Sequence, residues 1–379
     1  MTNTLKTDFL SEVYVRGMRI IASRRVKQRA AQERKLIYPY HCKRIRTYKI
    51  FTTIVMFMVS IGSACASSIT PVSPRDDDHG STIAFESVTP KRIKDFVERT
   101  VDNKASITGR LTFPEGMTST VPAVVILHGS SGVNPGEMVW AQRLNSMGFA
   151  SFVVDSFTGR GVTNTEADQT QLSMTVGMAD AYFALRLLAA DPRIDKRKIS
   201  VMGFSRGGIA ALYSALEPFR RAVIEDDLHF AAHIAFYPGC GIHYTSAHLD
   251  GAPILMLLGG KDNYTPAAPC VTYANDLRKQ GAQVTLKTYP DAYHGFDRPT
   301  RLHVIKSATS ARECHGAYDL DTNKFTMRKD EQTLSGTEAT AESKRCLSYG
   351  VMLGGDTLGR EQSPLDVAAF LKSVFDREQ

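Results

Sequence analysis

Residues 203–207 read Gly-Phe-Ser-Arg-Gly, the G-x-S-x-G pattern of an exposed nucleophile. The apolar run 198–202 precedes this turn, and residues 208–213 follow it with a helical pattern. A strand-to-helix turn of this kind raises the serine hydroxyl above the carboxyl edge of a sheet, and its glycines let strand and helix approach closely. The pattern predicts Ser205 as the nucleophile of an acyl-transfer site. A structural serine in a glycine-rich turn is the alternative.

An acid and a base follow two later apolar runs. Asp262 comes after the run 254–258, and His294 comes after the run 284–289. Catalytic groups of parallel sheets lie on loops at the carboxyl ends of strands. We expect His294 to accept the Ser205 proton, and Asp262 to fix the His294 tautomer and stabilise the imidazolium. Structural roles stay open for both residues, because the chain has ten histidines and many loop aspartates.

Other polar residues at strand ends are predicted to support this site. His128 should order the loop that supplies one oxyanion N–H, that of Ser130, while Arg206 at the helix start supplies the other from its backbone. Asp155 precedes the serine in the chain and is interpreted as a loop organiser. Arg160 is a candidate to bind an anionic substrate group, with a solvated loop arginine as the alternative.

Apolar runs alternate with helical stretches from Ile83 onward, which predicts an α/β fold with a mostly parallel sheet and helices on both faces. The predicted strands are 105–113, 123–127, 150–154, 199–202, 233–237, 254–258 and 284–289. The predicted helices are 138–147, 172–190, 206–216, 271–280 and 365–375. A single domain over 83–379 accounts for this pattern.

The segment 301–361 interrupts the alternation. It is polar, contains Cys314 and Cys346, and is too long for an ordinary loop. We interpret it as an insertion that rims the cleft without lining it with apolar area. The connection 238–252 is short and mostly polar, so neither segment is expected to build a long acyl groove.

The positive charge of the chain is concentrated in its first 50 residues. The formal net charge is +7, and residues 1–50 contain 13 basic and 3 acidic residues, so the remainder is slightly acidic. Nucleic-acid binding by the domain is therefore not expected. The basic stretch precedes the uncharged run 50–61 and then Ala64-Cys65-Ala66, which predicts a leader and signal peptide over 1–66, a flexible tether over 67–82, and export to the periplasm or beyond. The run is short for a membrane span, so no stable span is expected after cleavage.

Four cysteines follow the predicted signal peptide: Cys240, Cys270, Cys314 and Cys346. An oxidising compartment favours disulfides, and four cysteines allow three pairings. No C-x-x-C spacing occurs, so a zinc site is not predicted. No metal or organic cofactor is expected from any other spacing, and oligomeric state is not indicated.

In combination, these motifs resemble the dienelactone hydrolase family of α/β hydrolases. The resemblance spans residues 104–299 and rests on the segments 128–132, 155–157, 203–208, 237–240 and 293–297. It implies the triad order serine, aspartate, histidine, and it implies disulfides pairing Cys240 with Cys270 and Cys314 with Cys346. The family's name-giving enzymes carry a cysteine nucleophile and a glutamate after an early strand, whereas this chain has Ser205 there and His-Gly-Ser-Ser in that loop.

The sequence therefore predicts a serine hydrolase of carboxylesterase type that cleaves small esters or lactones through an acyl-enzyme. Because of the cysteine-to-serine difference, we expect ester hydrolysis in general rather than hydrolysis of dienelactone. A peptidase of the same fold and a non-catalytic binding protein that retains the fold are the alternatives.

Overall fold

The structure is a computed structural model that describes residues 80–376. The predicted leader and signal peptide, and the predicted tether up to residue 79, lie outside the described residues. Within the described part, no helix combines the length and the apolar character needed to cross a membrane.

An eight-stranded sheet forms the centre of the domain, and its strand order is β1-β2-β4-β3-β5-β6-β8-β9. The strands are β1 (Gly80–Val88), β2 (Lys104–Thr112), β3 (Val121–Leu127), β4 (Ala150–Asp155), β5 (Ile194–Phe204), β6 (His233–Phe236), β7 (Ile242–Thr245, in a second sheet), β8 (Ile254–Gly259) and β9 (Val284–Tyr289). Neighbouring strands from β4 to β9 are parallel, whereas β2 pairs antiparallel with both β1 and β4.

Helices cover both faces of this sheet. The α-helices of the described part are α1 (Ile93–Val97), α2 (Pro135–Ser146), α3 (Thr175–Ala189), α4 (Arg206–Tyr213), α5 (Glu217–Arg221), α6 (Ala267–Lys279), α7 (Gly336–Arg345, which packs on the sheet of the insertion) and α8 (Thr357–Phe375). Along β3, Val125 and Leu127 enter a core with α3, α4 and α6, while Val124 and Ile126 enter a second core with α2 and α8. A strand buried on both faces has a nearly continuous apolar sequence. The predicted α/β fold with a mostly parallel sheet is confirmed.

The first strand lies partly in the segment predicted as tether. Residues 80–82 pair with residues 110–112 at the edge of the sheet, so the tether prediction is wrong for these three positions. Ser81 and Thr82 are exposed, which is why β1 carries no apolar run at its start. The hydrogen bonds to β2 hold these residues in a strand instead.

The insertion contains regular structure rather than a long loop. Its elements are α7 and the strands β10 (His303–Ser310), β11 (His315–Asp319), β12 (Lys324–Lys329), β13 (Gln332–Ser335) and β14 (Ser348–Leu353). Strands β10 and β14 form a two-stranded ribbon, and β13-β12-β11 extend to β7 in a four-stranded sheet. Disulfides join Cys240 to Cys270 and Cys314 to Cys346, the pairing that the family resemblance implied. The last helix begins at Thr357, earlier than predicted.

Candidate active site

Ser205 occupies a strained turn between β5 and α4. Its φ of 54° and ψ of −112° are unusual for a residue with a side chain. A Cβ at Gly203 would lie 2.0 Å from the Gly207 carbonyl oxygen, and one at Gly207 would lie 2.2 Å from the Leu127 carbonyl oxygen. Only glycine fits at either position. The turn therefore has the geometry of a nucleophile elbow.

Asp262 and His294 form a buried hydrogen-bonded pair. His294 Nδ1 lies 2.8 Å from Asp262 Oδ2. The other carboxylate oxygen, Oδ1, accepts the backbone N–H groups of Tyr264 (2.8 Å) and Thr265 (2.9 Å). The carboxylate is thus fixed by its own loop, and it can hold the imidazole proton on Nδ1 so that Nε2 is the basic nitrogen.

The His294 ring packs between two tyrosine rings. The ring centroids of Tyr237 and Tyr264 lie 4.6 Å and 4.7 Å from that of His294. The Gly354 backbone N–H donates to the His294 carbonyl oxygen at 2.9 Å, which ties the histidine loop to the end of the insertion. These contacts restrict the orientation of the imidazole.

Ser205 faces a cavity whose wall lies against the Asp262–His294 pair. Ser205, Tyr264 and Thr265 line this cavity, and the two latter residues contact His294. Among the described residues, the structure records no hydrogen bond between Ser205 Oγ and His294. Such bonds are often long in unliganded enzymes and tighten when substrate binds.

The two predicted oxyanion donors also lie at this cavity. Arg206 is the first residue of α4, where backbone N–H groups have no partner within the helix, and Ser130 lies in the loop after β3. His128 connects that loop to the next one, because its Nδ1 lies 2.7 Å from the Gly129 carbonyl oxygen and its Nε2 accepts the Ser156 N–H at 3.2 Å. Burial lowers the pKa of His128, which favours this neutral form. Both ring nitrogens are occupied, so His128 is unsuited to act as a base.

The Arg206 side chain is hydrogen-bonded to neighbouring protein oxygens and is therefore not free to bind a charged ligand. Its guanidinium donates to the carbonyl oxygens of Leu172 and Ser173 and to both oxygens of Gln169. Burial lowers the pKa of Arg206 to about 10, a value at which the group stays protonated at neutral pH. Arg206 therefore anchors the loop before α3 with its side chain.

The prediction that Arg160 faces the cleft is wrong. Its side chain is only 4% exposed and pairs with buried Asp180 on α3, with nitrogen-to-oxygen distances of 2.7 Å and 2.8 Å. It also donates to the Val88 carbonyl oxygen. A buried carboxylate needs a partner. Asp180 is an acidic residue within an apolar helix, and this is the feature of the sequence that indicates a buried cationic partner such as Arg160. Asp155 accepts the backbone N–H groups of Phe157 and Thr158, as a loop organiser does.

The cavity at Ser205 has a volume of about 170 Å³ and a mostly apolar wall. Its apolar lining includes Met174, Ile209, Ile242, Pro266, Pro269 and Ala311, and no aspartate or glutamate lines it. Ala311, with Thr309 and Arg312, belongs to the insertion, so the expectation that the insertion only rims the cleft is wrong. Strand β10 is held there because the Thr309 N–H donates to the Glu166 carbonyl oxygen.

A larger surface cavity of about 860 Å³ lies elsewhere. Ile254 and Gln283 line it, at the start of β8 and just before β9. It therefore sits at the amino-terminal edge of the sheet, opposite the loops that carry Ser205. Among residues 80–376, no group of three or more histidine, cysteine, aspartate and glutamate side chains is arranged to hold a metal ion.

Sequence reasoning missed two residues that join the parts of the site. Gln169 bonds to Ser130 Oγ, Arg206 and Tyr264 OH, and Thr265 Oγ1 lies 3.0 Å from Asp262 Oδ2. Thr265 could have been found from its position three residues after Asp262. Gln169 gives no local signal, because its partners are far away in the sequence.

Several known proteins are similar to this chain. A Yersinia pestis protein described as a predicted carboxymethylenebutenolidase is 25% identical over 197 residues, covering 50% of this chain and 73% of the relative. An Escherichia coli K12 protein with the same description is 26% identical over 201 residues, covering 50% of this chain and 72% of the relative.

Two solved structures are also similar. A dienelactone hydrolase-like promiscuous phosphotriesterase from metagenomic libraries has a TM-score of 0.47 and 15% identity, covering 78% of this chain and 99% of that chain. A thermophilic esterase from Thermogutta terrifontis has a TM-score of 0.43 and 20% identity, covering 56% of this chain and 83% of that chain. The dienelactone hydrolase family profile matches residues 107–319, more than half of this chain. This match confirms the resemblance seen in the sequence, and the chain belongs to the dienelactone hydrolase family.

Proposed function

We propose that this family member is a serine hydrolase that cleaves small carboxylic esters or lactones through an acyl-enzyme. The observation that carries the proposal is Ser205 in a nucleophile elbow, on a cavity whose wall residues contact the Asp262–His294 pair. A strained serine, a base and an orienting acid at one sheet edge are the parts that acyl transfer needs.

In the acylation step, Ser205 Oγ attacks the carbonyl carbon of the ester while His294 Nε2 takes the Ser205 proton. The carbonyl π electrons move onto oxygen, and the backbone N–H groups of Arg206 and Ser130 donate to the resulting oxyanion. When the intermediate collapses, the bond to the alkoxy oxygen breaks and His294 protonates that oxygen. Water then repeats the sequence on the acyl-enzyme and releases the acid.

The small size of the cavity supports short acyl groups as substrates. Its volume of about 170 Å³ is below the roughly 300–1,000 Å³ of drug-sized ligand pockets. A methylene contributes about 0.8 kcal/mol only where it can be buried. We therefore propose acyl chains of about two to four carbons as the preferred substrates, since longer chains would extend past the wall at Ala311 and Ile242.

A fluorophosphonate label tests the proposal, because it phosphonylates only an activated serine. We expect one modified peptide, with the label on Ser205, and none in Ser205→Ala. Hydrolysis of p-nitrophenyl acetate should fall about 10⁵-fold or more in Ser205→Ala and in His294→Ala. Ser307→Ala, which changes an exposed serine of β10, is the control and should behave like wild type.

Three results would contradict the proposal. Ser205→Ala retaining a tenth of the wild-type rate would remove Ser205 as the nucleophile. Turnover of acylated peptides without turnover of esters would favour the peptidase alternative. Ligand binding without any labelling would favour a binding protein that retains the fold.

We also propose that the protein is exported. The support is the basic stretch followed by an apolar run and Ala64-Cys65-Ala66, together with two disulfides of a kind that persist in oxidising compartments. Periplasmic protein should begin at Ser67 and have no free thiol after unfolding. Two or more reactive thiols, or an uncleaved leader on the periplasmic protein, would contradict this proposal.

A further inference from the structure

Tyr264 spans the distance between the proposed base and the proposed oxyanion donors. Its N–H donates to Asp262 Oδ1, and its carbonyl oxygen accepts from Ser310 Oγ, each at 2.8 Å, so its backbone is held on both sides. Its ring packs against His294, and its side chain lines the cavity with Ser205. The residue is 7% exposed.

The orientation of the Gln169 amide shows whether the Tyr264 hydroxyl donates or accepts in their hydrogen bond. Gln169 Oε1 lies 3.0 Å from Arg206 Nη1, and because a guanidinium only donates, the amide oxygen must face the arginine. The amide nitrogen then faces the other way and donates to Tyr264 OH at 3.3 Å and to Ser130 Oγ at 3.0 Å. The Tyr264 oxygen is therefore an acceptor in this contact.

The phenol proton of Tyr264 is directed toward the loop that carries Ser130. The Tyr264 hydroxyl also makes a side-chain hydrogen bond with Ser130, whose Oγ can accept the phenol proton. Burial raises the pKa of Tyr264 to about 12, so the hydroxyl keeps its proton throughout the neutral range. Since Tyr264 lines the cavity, its hydroxyl can redirect this proton from Ser130 Oγ to a substrate oxygen bound there.

We infer that Tyr264 is a third oxyanion donor: its hydroxyl donates to the ester carbonyl oxygen, together with the backbone N–H groups of Arg206 and Ser130. This inference rests on the proposed ester hydrolysis. The hydroxyl bonds to the Ser130 side chain, and both residues line the cavity with Ser205, so the hydroxyl lies beside the loop that supplies the Ser130 N–H. The carbonyl oxygen is the acceptor whose charge grows during attack, so this bond strengthens in the transition state. The phenol keeps its proton throughout.

Tyr264→Phe tests the inference, because it removes the hydroxyl and keeps the ring against His294. We expect kcat for p-nitrophenyl acetate to fall about 10²-fold or more with KM changed less than about threefold. Tyr289→Phe is the matched control: its hydroxyl bonds to Asp366 Oδ2 at 2.9 Å on α8, and its removal should leave kcat at the wild-type value.

A thionoester provides a second readout that a merely structural role would not change. Sulfur accepts hydrogen bonds poorly, so the ester-to-thionoester rate ratio should be high in wild type and should fall in Tyr264→Phe by a factor close to the loss in kcat. A loss confined to KM, a loss in kcat below about threefold, or an unchanged ratio would overturn the inference. Fluorophosphonate labelling of Ser205 distinguishes failure of this inference from failure of the proposed function. If only the role of Tyr264 is wrong, Ser205 is still labelled; if the proposed function is wrong, it is not.

Discussion

Replacing Asp262 by asparagine should force His294 into the wrong tautomer. Two backbone N–H groups point at Oδ1, from Tyr264 and Thr265, and neither can reverse its direction. His294 Nδ1 points at Oδ2 and can either donate or accept. Turning the amide nitrogen toward the two N–H groups would leave both unsatisfied, at about 1–3 kcal/mol each. The asparagine oxygen therefore takes the Oδ1 position, and its NH₂ group faces His294.

The NH₂ group of Asp262→Asn would then donate to His294 Nδ1 and place the imidazole proton on Nε2. His294 could no longer accept the Ser205 proton without forming an unpartnered cation. We expect kcat to fall about 10⁴-fold, which corresponds to about 5 kcal/mol of lost transition-state stabilisation. The loss should be smaller than that of Ser205→Ala.

Steady-state hydrolysis of p-nitrophenyl acetate measures this loss, with unfolding followed in parallel to show that the variant is folded. The low-field proton resonance of the His294–Asp262 hydrogen bond should also disappear. Asp291→Asn is the matched control, because Asp291 is exposed and pairs with Lys261. A kcat within tenfold of the control would refute the tautomer argument.

Four further predictions follow from the cavity, the buried charges and the disulfides. For p-nitrophenyl esters, kcat/KM should peak between about two and four acyl carbons and fall by eight; a continued rise to twelve would contradict the small cavity. Asp180→Ala should lower the free energy of unfolding by about 3–5 kcal/mol, because Arg160 keeps its buried charge without a negatively charged partner; unchanged denaturant unfolding would contradict this. Burial lowers the pKa of His128, so the unfolded chain binds a proton at this residue more readily than the folded chain does. The contribution of neutral His128 to the free energy of unfolding should be fully present above about pH 6.5 and should fall by up to about 1.4 kcal/mol per pH unit below it. His128→Gln should reduce this slope. Replacing Cys314 and Cys346 together by serine should cost about 3–4 kcal/mol in thermal or denaturant unfolding, since the bridge closes a loop of 32 residues; an equal stability would show that the unfolded chain is not constrained by it.

The inner strands of the central sheet were predictable because they are buried on both faces. Burial on two sides requires consecutive apolar residues, so strands such as β3 and β8 are visible without knowledge of their neighbours. The edge strand β1 and the insertion strands expose many of their side chains. Their polar sequences carry no such signal, and their order comes from pairing with distant strands.

The candidate nucleophile, acid and base were recognisable from local sequence, since each follows a strand whose end places it at the same edge of the sheet. The tertiary structure alone decided the surroundings of these residues. Arg160 turned inward because its partners, Asp180 and the Val88 carbonyl oxygen, are buried beside it, and residues of the insertion became part of the cavity wall. The contact of Gln169 with Tyr264 joins residues 95 positions apart. Strand and helix patterns record what each segment buries, whereas such contacts depend on the path of the connecting loops, which periodicity does not record.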